Sequence, residues 1–102
     1  MRYIVILDSF LLLHQLQGIT SAAEEVICLL TEPSPLKKKF PKKIKIPGND
    51  PLKDDTYKEL VLNKDDRVII HVSTAEKTRR ILVCILKACE ITPIVVLKGN
   101  TN

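Results

Sequence analysis

The polar residues that end apolar runs are where this chain could do chemistry. Asp8 and Ser9 follow Ile4-Val5-Ile6-Leu7, Asn49 and Asp50 follow the Ile44-Lys45-Ile46 segment, and Ser73 and Thr74 follow Val68-Ile69-Ile70-His71-Val72. A short hydroxyl, amide or carboxylate side chain at the mouth of a buried strand can cap the next helix, and the bare N–H groups of a helix start can hold an anion. If the runs are parallel strands, these residues face the crevice where open α/β sheets bind ligands. Asp8, Ser9, Asn49, Asp50, Ser73 and Thr74 are therefore the candidate ligand-binding residues. Each also has a plainer reading as a helix cap.

Nothing else in the chain forms a catalytic constellation. No serine is bracketed by glycines, and no spacing places a cysteine beside a histidine. His14 falls in an apolar helical stretch and His71 inside a strand, where each reads as structural. Cys28, Cys84 and Cys89 are odd in number, form no Cys-x-x-Cys pair and sit in apolar patterns, so they read as buried free thiols rather than metal ligands. No catalytic residue and no metal site is expected.

The formal net charge of +4 is concentrated in one place, where Lys37, Lys38, Lys39, Lys42 and Lys43 surround Phe40 and Pro41, with Lys45 next. Such a run can attract phosphates or an acidic partner. Without stacking aromatics or a glycine loop it reads as a solvated loop entering an edge strand, and nucleic acid is not an expected partner.

The elements that must position these residues alternate along the chain. Residues 2–7 form a short β-branched run suited to a buried central strand. Asp8 or Ser9 can cap a helix through Phe10, Leu11, Leu12, Leu13 and Leu16, with Gly18 as its stop. Val26-Ile27-Cys28-Leu29-Leu30 is a second apolar run, and Ile44-Lys45-Ile46 alternates like a short strand near an edge. Asp50-Pro51 reads as a helix start, acid at the cap and proline at the first position, with the helix running through Leu52, Tyr57, Leu60 and Val61. After the strand at 68–72, Ser73-Thr74-Ala75-Glu76 matches a capping box opening a helix that reaches about Cys89. Pro93 precedes a last strand, Ile94-Val95-Val96-Leu97. Right-handed crossovers then give an α/β fold, a three-layer doubly wound parallel sheet of about five strands with helices on both faces.

The 102 residues read as one domain with an aliphatic core, since there is no Trp and aromatics are 4%. The last strand ends so near residue 102 that the chain reads as the leading part of something longer. No apolar run reaches the roughly 18 residues that cross a bilayer. Asp8 breaks the apolar opening, so residues 2–7 read as a strand rather than a signal peptide, and the expected location is cytoplasmic, without membrane insertion.

With these elements in place, the sequence resembles the Rossmann-like RCK domains (regulator of potassium conductance, TrkA-N) of potassium-uptake regulators and ligand-gated channels. The likeness spans nearly the whole chain. It is carried by Pro47-Gly48-Asn49-Asp50-Pro51, by Asp65-Asp66-Arg67-Val68-Ile69-Ile70, and by Ser73-Thr74-Ala75-Glu76 with Arg79 and Arg80. The same domain type also precedes DHH-family phosphoesterases. The family's glycine-rich first turn would bind NAD, but here Leu7, Ser9 and Leu12 stand at its three glycine positions, and Leu30 or Thr31 where the ribose-binding acid belongs. Leucines there block the approach of backbone to pyrophosphate, so no NAD or other nucleotide cofactor is expected.

The resemblance thus implies a non-catalytic regulatory or assembly domain acting on a fused or separate effector, either a DHH-type phosphoesterase or a potassium transport system. Two alternatives stay open: a nucleotide sensor that still binds at the crevice, and a phosphoacceptor. Phosphorelay receiver domains share this size and fold class, and Asp8, Asp50, Ser73 or Thr74, and Lys98 mimic the order of their functional residues, although a receiver has two adjacent acids after its first strand. Ile81-Leu82-Val83-Cys84-Ile85-Leu86 is apolar on every side of a helix that needs one face for the sheet, so a homodimer is also expected.

Overall fold

The computed structural model of the chain describes residues 2–8, 18, 21–32 and 44–97. Strand β1 (Arg2–Leu7) is the centre of a five-stranded sheet in which β1 pairs in parallel with β2 (Glu25–Leu30) on one side and with β4 (Arg67–His71) on the other. Ile4 faces Ile27 and Val68 across the two ladders, so the β-branched runs recognised in the sequence lie side by side. β3 (Ile44–Lys45) adds to β2 and β5 (Ile94–Val96) to β4, giving the order β3-β2-β1-β4-β5, parallel throughout. This is the small α/β, Rossmann-like parallel-sheet fold that the alternation of elements implies.

The period of two along a strand divides the core between the two faces. Ile4 and Ile6 join Ile27, Leu29, Val68 and Ile70 on one face, beneath helix α1 (Asp54–Leu60) and helix α2 (Ala75–Ala88), which contribute Tyr57, Ile81 and Ile85. Val5 and Leu7 join Val26, Cys28 and Ile69 on the other, with Ala23 against them. Both faces of β1 are fully buried, as expected of a central strand with an uninterrupted apolar run. The helix expected from Phe10 to Leu16, with Ser9 and His14, lies outside the described residues, as do the lysines at 37–43 and Lys98.

Two helix starts differ from expectation. α1 begins at Asp54, with Lys53 as its cap, not at Asp50-Pro51. Asp50 instead closes a turn on itself: its carboxylate accepts from the Leu52 N–H at 2.9 Å, and its carbonyl from the Lys53 N–H at 3.2 Å and the Thr56 hydroxyl at 2.5 Å. The Pro51 carbonyl then receives the buried Tyr57 hydroxyl at 2.5 Å, which holds this turn against the helix it precedes. Asp-Pro is a turn starter as readily as a helix start, and here the turn wins.

α2 is capped by Thr74, whose hydroxyl accepts from the Lys77 N–H at 3.2 Å. The capping box is therefore one residue out of register, and Glu76 is an exposed first-turn residue rather than a reciprocal partner. Ser73 is not free to serve as the cap in the expected way because its own N–H is committed elsewhere, as described below.

The end of α1 is held by the start of β1. Arg2 donates from Nε to Asp66 Oδ1 at 3.0 Å and from Nη2 to Asp66 Oδ2 at 2.6 Å, and Nη2 also reaches the Leu60 carbonyl at 2.9 Å. Asp66, 3% exposed, accepts in addition from the Asn63 N–H at 3.1 Å. These bonds anchor the C-terminus of α1, where Val61 takes a left-handed backbone conformation (φ 52°) that β-branched residues rarely adopt.

Candidate functional site

The strand order reverses beside β1, so the crevice of this fold lies at the carboxyl ends of β1 and β4. Asp8 stands there, 8% exposed, directly after the last residue of β1. Its Oδ2 accepts from the Ser73 N–H at 2.5 Å, at the end of β4, and its Oδ1 accepts from the Thr31 hydroxyl at 2.5 Å, at the end of β2. Lys77, one turn into α2, brings its ammonium to 3.6 Å from Oδ1. The Thr31 N–H also donates to the Leu7 carbonyl at 2.9 Å, extending the β1–β2 ladder up to the crevice. One carboxylate thus ties together the ends of three neighbouring strands.

The electrostatics keep that carboxylate ionised. Burial pushes its pKa up, but hydrogen bonds from Ser73 and Thr31 and the nearby Lys77 ammonium more than offset this, and the net shift is downward from 3.8. The charge also lies at the N-terminal end of α2, where the helix dipole favours an anion. In a dinucleotide site the pyrophosphate belongs to the helix start after the first strand, whose residues from Ser9 on lie outside the described residues; the start of α2 stands beside it across the crevice. Here an internal anion uses the Ser73 N–H, and its negative charge opposes a second anion.

The remaining candidates divide. Ser73 joins Asp8 directly, and Thr74 is the cap of α2. Asn49 and Asp50 do not join them by any hydrogen bond: Asn49 Nδ2 donates to Glu59 at 2.8 Å on α1, and Asp50 bonds within its own turn. Ser9 lies outside the described residues. Thr31 and Lys77 complete the cluster without having been singled out in the sequence. Thr31 carried a signal, since it is the polar residue at the end of β2, where a ribose-binding acid would fall. A lysine on an exposed helix turn carries none.

The phosphoacceptor arrangement needs Asp50 close to Asp8. In the doubly wound order of receiver domains the third strand is next to the first, whereas here β2 separates β3 from β1. With Asp50 bonded into a turn and Asp8 already paired, incubation with acetyl phosphate and millimolar Mg²⁺ should leave both unmodified. Intact-mass spectrometry showing a stoichiometric phosphoryl adduct would reverse that assignment.

The cysteines are free. Burial pushes the Cys28 thiol up to about 11, and burial with nearby Asp54 pushes Cys84 to about 11, so neither is a thiolate at neutral pH. Cys89 departs from expectation in being half-buried, and its thiol is lowered by a hydrogen bond with Thr92 and by the Ile91 backbone. His71 Nδ1 sits 3.4 Å from the Leu97 carbonyl, a contact between β4 and the end of β5. Among the described residues no three His, Cys, Asp or Glu side chains gather as a metal site would require.

An open groove of about 680 Å³ runs between α1 and α2. Its walls mix Arg79, Arg80 and Lys87 with Asp54, Asp55 and Glu76, so its charges largely neutralise one another. Lys87 and Asp54 are paired at 3.4 Å. Among the described residues no helix is long and apolar enough to cross a membrane. No protein-family model, no curated protein and no solved structure gives a significant match to this chain.

Proposed function

We propose that the chain is a non-catalytic regulatory or assembly domain of the RCK type, in which the dinucleotide crevice is closed by the protein's own Asp8. The observation that carries this reading is the commitment of the Asp8 carboxylate to the Ser73 N–H, the Thr31 hydroxyl and Lys77. A pyrophosphate needs the glycine turn after the first strand, for which Leu7 is a poor substitute, and the Asp8 charge beside that turn opposes a second anion. The domain then works through contacts with its own copies or with an effector. The resemblance noted in the sequence makes a DHH-type phosphoesterase or a potassium transport system the effector to test first, and a cytoplasmic location goes with this reading.

Loss of a charge-assisted ribose contact alone weakens a dinucleotide by roughly tenfold to a hundredfold, before the Asp8 charge is counted. Calorimetry of the chain with NADH and with AMP at physiological salt should therefore give no saturable heat. A dissociation constant below about 10 μM, equivalent to roughly −7 kcal/mol, would overturn the reading and favour a nucleotide sensor.

A further inference from the structure

The two edges of the sheet are built differently. β3 carries the exposed Lys45, paired with Glu25 at 3.1 Å, and a run of lysines precedes it in the sequence. Charges on an edge strand discourage pairing with another sheet. The other edge has no such guard, because Pro93-Ile94-Val95-Val96-Leu97 contains no charged residue.

The outward backbone groups of β5 follow from its bonds to β4. The Pro93 carbonyl accepts from the Val68 N–H at 3.0 Å, and the Leu97 N–H donates to the Ile70 carbonyl at 2.8 Å. Residues 93, 95 and 97 therefore turn their main-chain groups inward. Ile94 and Val96, which alternate with them, turn theirs outward, where among the described residues no strand pairs with them.

The side chains along this edge are apolar and open to solvent: Val95 is 51% exposed and Val96 43%. Ile94 packs with the helix-side core and Leu97 with the opposite one, so Val96 lies on the helix side and Val95 on the other. On the helix side, Leu82 of α2 packs partly buried against the same core as Ile94, and Leu86 stands one turn on. Leu86 is 48% exposed.

We propose that a second copy of this chain pairs with β5 in antiparallel fashion about a two-fold axis through Val95, joining two five-stranded sheets into one. This rests on the reading of the chain as an assembly domain and names its surface. The edge is complementary to itself. With the axis at Val95, Ile94 of each copy stands opposite Val96 of the other, and each such pair exchanges an N–H and a carbonyl in both directions. Val95 meets its own counterpart on one face, and Ile94 and Val96 of the two copies lie on the other. An isologous contact of this kind closes on itself without leaving a free edge at β5.

Sedimentation equilibrium of the whole chain at micromolar concentrations tests this directly. The wild type should be a dimer. Val95→Lys sets two ammonium groups against each other across the axis and should raise the dissociation constant at least about tenfold. Val96→Pro removes an outward N–H without touching a bond to β4 and should act in the same direction. Arg80→Glu, in the groove on the far side of α2 from Leu82, should leave the dimer intact, and circular dichroism should show all three variants folded. A wild type that is monomeric at high micromolar concentration would overturn the proposal. So would a dimer that survives Val95→Lys and Val96→Pro, or one that is lost in Arg80→Glu alone. None of these results alters the calorimetry with NADH, so the surface can fail while the closed crevice stands.

Discussion

Asp66→Ala should cost about 3 kcal/mol or more of stability. Asp66 is buried and accepts two bonds from the Arg2 guanidinium and one from the Asn63 N–H. Removing it leaves a half-buried cation without its partner, and the desolvation of both Arg2 and the Asn63 N–H is no longer offset. The pair also spans the chain, since Arg2 begins β1 and Asp66 precedes β4, while the same guanidinium holds the Leu60 carbonyl at the end of α1. Asp66→Asn keeps much of the shape and should fall between wild type and Asp66→Ala. Urea unfolding should show a lower midpoint with an unchanged slope. A loss below about 1 kcal/mol would place Arg2–Asp66 among ordinary surface pairs.

Asp8→Ala should cost about 1.5–3 kcal/mol, because the Ser73 N–H and the Thr31 hydroxyl lose a charged acceptor together. The sign of the pH dependence follows from the lowered pKa. The folded state holds the Asp8 proton less tightly than the unfolded chain does, so its contribution is fully present above 3.8 and is lost as pH falls through the lower folded value. The stability difference between wild type and Asp8→Asn should therefore be flat near neutrality and shrink only in acid. A difference that instead grew on acidification would mean that Asp8 is held protonated, and the crevice would have to be described differently.

The strands were legible in the sequence for a simple reason. A parallel sheet buried on both faces requires continuous apolar runs, and residues 2–7, 26–30 and 68–72 supply them where β1, β2 and β4 form. The edge position of β3 was legible in its alternation and its lysine. The helix starts were less so, because Asp50 and Ser73 are residue types that serve turns, caps and strand ends equally well. Asp50 stays in a turn through its own carboxylate and the Thr56 hydroxyl six residues on, whereas Ser73 gives its N–H to Asp8 across 65 positions, which no local pattern shows. The site was half legible. Polar residues at strand ends pointed to the crevice, and Asp8, Ser73 and Thr74 are there. What local patterns do not carry is that Asp8 bonds to Ser73 and Thr31, since that follows only from the register that sets β1 beside both β2 and β4.

If the Asp8 carboxylate fills the switch point through the Ser73 N–H, the Ser73 amide resonance in a proton–nitrogen correlation spectrum reports on it, followed from neutral to acid pH and then against NADH at neutral pH. This resonance should titrate with a midpoint below 3.8, the titration should disappear in Asp8→Asn, and NADH should leave the resonance where it is. A Ser73 amide that is insensitive to acid in the wild type, or that shifts saturably with NADH, would contradict that reading.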